Sequence, residues 1–77
     1  MTNQLNKTLG EVTKELRKAR KMSQKELARR SELHINTINL LELGASEAKL
    51  STLFFLAKAL NVSLEEMMKL LSSKFYN

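Results

Sequence analysis

The sequence has no cysteine, no proline, no tryptophan and no aspartate, and only two glycines, Gly10 and Gly44, in 77 residues. Without cysteine there is no disulfide framework, no thiolate nucleophile and no Cys-based zinc site, and a cytoplasmic location fits without strain. Without proline, and with so little glycine, the chain has few of the breakers that many short strands require, which excludes a sandwich or barrel. No apolar run approaches the ~18 residues of a membrane span. The start, Met1-Thr2-Asn3-Gln4, lacks the charged-then-apolar design of a signal peptide. The length allows one small domain and leaves no mass for a deep substrate cleft.

What is abundant is leucine and basic charge. Fifteen Leu stand against two Val and two Ile, a ratio that favours helix over pleated sheet. The net charge is +5 and unevenly placed: residues 1–30 carry nine Lys/Arg and three Glu, residues 31–77 four Lys and five Glu. A basic first half on a small helical protein points to a polyanionic partner, with solvation of exposed helix faces as the competing reading.

Helical periodicity and capping signals divide the chain into five helices. At roughly 100° per residue, Leu5, Leu9, Val12, Leu16 and Ala19 form one stripe of a first helix over residues 7–21. Ser23-Gln24-Lys25-Glu26 reads as a capping box that opens a second helix over residues 24–31, with Leu27, Ala28 and Ser31 inward. The third, over residues 35–43, buries Ile38 and Leu41 and stops at Gly44. The fourth, over residues 50–60, sets Leu50, Leu53, Leu56, Ala57 and Leu60 at helical spacing and ends at Asn61. A second capping box, Ser63-Leu64-Glu65-Glu66, starts the fifth, over residues 64–72, whose Leu64, Met67, Met68 and Leu71 complete the core. Residues 1–6 and 72–77 are expected to fray. Of the pairs Phe54-Phe55 and Met67-Met68, one member each is expected in the core.

Helices two and three, joined by a turn of about three residues, with Ala28 where two steeply crossing helices leave little room, form a helix-turn-helix pattern. In such a unit the second helix is offered to the DNA major groove. With Ile38 and Leu41 inward, its outward face carries Asn36, Asn39, Leu40 and Leu43, with Ile35 at the margin. The two amides suit the adenine edge, and Ile35 and Leu40 suit thymine methyl groups.

From about Leu9 to Leu71 the sequence resembles the Cro and lambda-repressor type of helix-turn-helix, the xenobiotic-response-element family. The carriers are Leu16-Arg17, the run Met22-Ser23-Gln24-Lys25-Glu26-Leu27-Ala28, Leu33, Thr37-Ile38, Leu41-Glu42 and Gly44. They continue through Leu50, Leu53, and Ala57-Lys58-Ala59-Leu60-Asn61-Val62-Ser63-Leu64. The resemblance implies an all-α, compact five-helix, lambda-repressor-like DNA-binding domain that acts as a homodimeric transcriptional regulator of repressor type in bacteria, phages or plasmids. It implies an internal ion pair between Arg17 and Glu42, and a backbone contact for Gln24 that also braces helix three. Thr37 and Leu43 fall at further backbone-contact positions, Leu43 where relatives often carry a polar or basic residue. In this docking mode helix two crosses the phosphates, which assigns Lys25, Arg29 and Arg30 to the DNA backbone, with Lys18 and Lys21 beside them. Glu32 stands in the turn where the family often has Gly, and Glu47 where relatives carry a basic or neutral residue.

Enzyme readings do badly. His34 is the sole histidine, no Asp exists to orient it, and no oxyanion turn is visible; a helix N-cap or an edge contact with DNA suits it better. Neither a metal site nor a cofactor is expected. Two functions stay open: a DNA-binding regulator, and a protein-interaction module that keeps the fold but uses the apolar Ile35, Leu40, Leu43 face to hold a protein partner.

Overall fold

Two of the helix starts and four of the helix ends are set by local devices. The computed structural model describes residues 4–76, which form five helices: α1 (Gln4–Ala19), α2 (Gln24–Ser31), α3 (Ile35–Glu42), α4 (Leu50–Ala59) and α5 (Leu64–Phe75). The hydroxyls of Ser23 and Ser63 accept from the backbone N–H of Glu26 and Glu66, which satisfies one otherwise unpaired donor at the start of α2 and of α5. Four helices end alike, on a left-handed residue: Lys21, Glu32, Gly44 and Asn61, at φ 55°, 59°, 73° and 59°. In each case the next N–H reaches back five residues, Met22 to Arg17, Leu33 to Ala28, Ala45 to Leu40 and Val62 to Ala57. Met22 is then buried, and Leu33 and Val62 pack onto the core. The stop signals thus also supply core side chains.

The core lies between all five elements. Leu27, Ile38, Leu41, Leu56, Leu60 and Met67 are fully buried, with Leu9 and Val12 contributed by α1. α2 packs on α3 and α4, and α1 lies across α3 and α5. The α1–α3 crossing is close because residue 10 is glycine: a Cβ there would sit 2.5 Å from the Leu41 carbonyl oxygen and 2.8 Å from that of Glu42. Among the described residues no helix is long and apolar enough to cross a membrane.

Several expectations are corrected. α1 begins at Gln4 rather than residue 7 and ends at Ala19, because the left-handed turn at Lys21 needs Arg20 and Lys21 for itself. α3 and α4 each end one residue sooner. α5 runs on to Phe75 instead of fraying from residue 72: Lys74 pairs with Glu15 of α1, and the Phe75 and Tyr76 rings meet edge-on with centroids 5.1 Å apart. The expected fraying of residues 1–3 and 77 lies outside the described residues. Leu5, Ala19, Leu50 and Met68 are exposed rather than core. The first three sit in terminal turns, beyond the packed face, and Met67 takes the inward place beside Met68. Phe54 and Phe55 are both about half exposed, since Leu53, Leu56, Ala57 and Leu60 fill the inward stripe of α4.

Candidate nucleic-acid interface

The unit formed by α2, the turn at 32–34 and α3 sets the geometry of the candidate site. Glu32 takes the left-handed conformation that a glycine would adopt without strain, and His34 occupies the N-cap position of α3 without a side-chain cap bond. Ile38 and Leu41 anchor α3 in the core. Ile35, Asn36, Asn39, Leu40 and Leu43 therefore face outward, all exposed, with Thr37 half-buried at the edge. Leu40 and Leu43 are 45% and 69% exposed, so half of this face is apolar. Lys25, Arg29 and Arg30 are exposed on α2, and Lys18 and Lys21 at the end of α1.

Beneath this face lies a charged network. The Arg17 guanidinium donates through Nε to Glu42 Oε2 at 2.7 Å and through Nη2 to Oε1 at 3.1 Å, while Nη1 reaches the Met22 carbonyl at 2.7 Å. The Glu42 side chain is only 3% exposed, so a buried carboxylate is matched by a two-pronged cation. Gln24 Nε2 donates to the same Glu42 Oε1 at 3.0 Å, and Gln24 Oε1 accepts from Asn39 Nδ2 at 3.4 Å. Both polar atoms of the Gln24 amide are thus engaged within the protein.

A second network is solvent-facing. The Glu26 carboxylate accepts from Arg29 Nε and Nη2 and from Arg30 Nε, at 3.2, 2.6 and 2.6 Å. The reciprocal half of the capping box at Ser23 is therefore replaced, because the two arginines one turn ahead draw the carboxylate away from the helix start. Hydrogen bonds from Arg29 and Arg30 hold the Glu26 carboxyl down from the ordinary 4.5 to about 2. The same contact raises the Arg29 pKa. A phosphate approaching either arginine must compete with this carboxylate.

The α3 face followed residue by residue from the sequence, and the family resemblance implied that Gln24 braces α3, which it does through Glu42 and Asn39. Two features were missed. The Glu26 trio was readable from its i, i+3 and i, i+4 spacing. Gly10 matters only because of where α1 crosses α3, which no local pattern reveals.

A helix-turn-helix family model matches residues 14–67. Among solved structures, the chain is 31% identical to the restriction-modification controller protein C.AhdI from Aeromonas hydrophila, with 80% of this chain and 94% of that one covered and a TM-score of 0.78. It is 25% identical to a mutant of the restriction-modification controller protein C.Esp1396I, with 100% and 98% covered and a TM-score of 0.93. A further structure of that controller, a tetramer in complex with its natural 35 base-pair operator, matches at 25% identity over 95% of this chain and 96% of that one, with a TM-score of 0.88. Among curated protein sequences no significant match is found. The helix-turn-helix geometry of α2 and α3, the extent of the family match and these likenesses agree: the chain belongs to the Cro and lambda-repressor-type, or xenobiotic-response-element, family of helix-turn-helix transcriptional regulators.

Proposed function

We propose that this protein is a sequence-specific DNA-binding transcriptional regulator of repressor type, with α3 in the major groove. The observation that carries the reading is the exposed α3 face bearing Asn36 and Asn39, in a unit whose other helix, α2, exposes Lys25, Arg29 and Arg30. Asn36, Asn39, Ile35 and Leu40 read base edges. Lys25, Arg29 and Arg30 meet phosphates, with Thr37 and the Leu43 end of α3 against the backbone. Because α3 has no Lys or Arg of its own, affinity comes from α1 and α2, and discrimination from two amides and an apolar edge. The likeness to C.AhdI and C.Esp1396I supports a regulator of the restriction-controller kind. The test is DNA binding in ~50 mM salt, where binding no tighter than that of a neutral helical control sinks the reading.

Two copies reading half-sites about one helical turn apart complete the scheme. The half-exposed Phe54 and Phe55 of α4, and Phe75 and Tyr76 at the end of α5, supply apolar surface for a homodimer. Sedimentation at micromolar concentration is expected to give a dimer, and a monomer contradicts it.

The exposure of Leu40 and Leu43 favours a second reading, in which the same face binds a protein. Leu43→Asn, at the end of α3 that lies against the backbone, separates the two. DNA affinity holds or rises if α3 faces phosphate and bases, and partner binding collapses if it is a protein interface.

A further inference from the structure

We propose that Glu42 is a positioning residue for base reading: through Gln24 it fixes which end of the Asn39 amide faces the DNA, and so sets a preference for adenine at that base pair. The inference rests on the DNA-reading function above and goes beyond the structural part played by the Arg17–Glu42 pair.

Donors and acceptors alternate along one chain of side chains, from Arg17 through Glu42 and Gln24 to Asn39. Arg17 is a permanent donor and occupies both Glu42 oxygens. An ionised carboxylate only accepts, so the end of Gln24 that meets Glu42 Oε1 at 3.0 Å must be Nε2. That choice turns Gln24 Oε1 the other way, and a carbonyl oxygen only accepts, so the end of Asn39 that faces it at 3.4 Å must be Nδ2. An isolated amide has no such constraint, since its two ends differ only in the partners they find. Here the polarity runs in one direction from a buried ion pair to an exposed side chain of α3.

The consequence is chemical. Asn39 keeps Oδ1 and one Nδ2 hydrogen for the groove, the acceptor-and-donor pair that matches adenine N6 and N7. Its last link is the longest of the chain, so polarity is set without holding the side chain back from a base edge. Gln24 then acts on sequence preference, whereas a residue that merely touched phosphate would act on all sequences equally.

The test uses the full-length protein and a site obtained from a random DNA library, remade with each of the four bases at every position. Wild type is expected to prefer adenine by about tenfold at one base pair, abolished by Asn39→Ala. Gln24→Met, which keeps the volume but neither donates nor accepts, is expected to cut that preference at least threefold (on the order of half the contact's discrimination), with affinity for the non-preferred bases little changed. In the Asn39→Ala background it is expected to add nothing. Glu42→Gln places a donor toward Gln24, reverses the chain and shifts the preference at that base pair toward guanine, whose edge only accepts. If that variant does not fold, Gln24→Met decides alone. A uniform loss of affinity in Gln24→Met with the adenine preference intact overturns the inference while leaving DNA reading standing. Wild type that selects no sequence overturns both.

Discussion

Arg17 of α1 grips Glu42 of α3 with two parallel bonds, at 2.7 and 3.1 Å, across 25 residues of sequence. The pair joins the first helix to the last turn of α3, so the orientation of the outward face depends on a contact buried behind it. A third bond, from Arg17 to the Met22 carbonyl, ties the same guanidinium to the turn that leads into α2. Three of the elements that make up the candidate site therefore meet at one side chain.

Removing that cation is costly because the Glu42 carboxylate stays behind, buried and unpaired. Arg17→Ala is expected to destabilise the protein by about 3–5 kcal/mol. Arg17→Lys recovers only part of this, since an ammonium cannot supply the paired geometry. Urea denaturation with Lys14→Ala as a surface control checks it; a loss no larger than the control's contradicts the burial of the pair.

Gly10→Ala opposes two effects on one helix. Alanine gains about 1 kcal/mol in helix propensity over glycine. Its Cβ, however, lands 2.5 Å from the Leu41 carbonyl oxygen, a backbone atom that cannot rotate away. Overpacking of this kind costs about 1–3 kcal/mol or more, so the net change is destabilising. A raised melting temperature would show that α1 and α3 are less closely apposed.

Glu32 holds a left-handed backbone at φ 59°, a conformation that glycine adopts without strain, while its backbone N–H donates to the Ala28 carbonyl as the cap of α2. Glu32→Gly is expected to relieve strain of about 1 kcal/mol, less the extra entropy glycine gains in the unfolded chain. Thermal unfolding is expected to shift upward slightly. A clear loss of stability contradicts strain at this turn.

Glu26 carries a pH dependence whose sign is fixed. Its folded pKa, about 2, lies below the ordinary 4.5, so its contribution to stability is complete above the unfolded value. That contribution is lost as pH falls from about 4.5 toward 2, while the arginines stay charged throughout. Glu26→Gln is expected to flatten the acid unfolding curve in that window. At neutral pH it releases Arg29 and Arg30, so DNA affinity rises and the slope of log affinity against log salt steepens by up to ~0.9 for each arginine that gains a phosphate. Unchanged affinity and slope would place both arginines away from the DNA backbone.

Much of the fold was legible because its signals are local. Ser23 and Ser63 mark helix starts, Gly44 and Asn61 mark helix ends, and the Leu-rich stripes name most of the core. The outward face of α3 followed from Ile38 and Leu41 alone, because a helix anchored at two inward positions has only one other side. What escaped depends on contacts between elements. Lys21 ends α1 in a left-handed turn although its residue type gives no warning. One of Phe54 and Phe55 looks like a core residue until neighbouring residues are seen to fill the inward stripe and leave both about half exposed. The tail folds as the end of α5, where Lys74 finds Glu15 fifty-nine residues away. In the candidate site the Arg17–Glu42 pair and the bracing of α3 by Gln24 came with the family resemblance, whereas the partners that Gln24 and Glu26 take, Asn39 for the one and Arg29 and Arg30 for the other, did not.

The central claim is that α3 reads DNA sequence through Asn36 and Asn39. In vitro selection from a random library with the wild-type protein tests it most directly, run beside the Asn36→Ala, Asn39→Ala double variant. The prediction is an enriched palindrome whose half-site centres lie one helical turn, ~34 Å, apart, and its loss in the double variant while weak, salt-sensitive binding persists. A wild-type pool that shows no enriched sequence, or the same palindrome selected by the double variant, contradicts it.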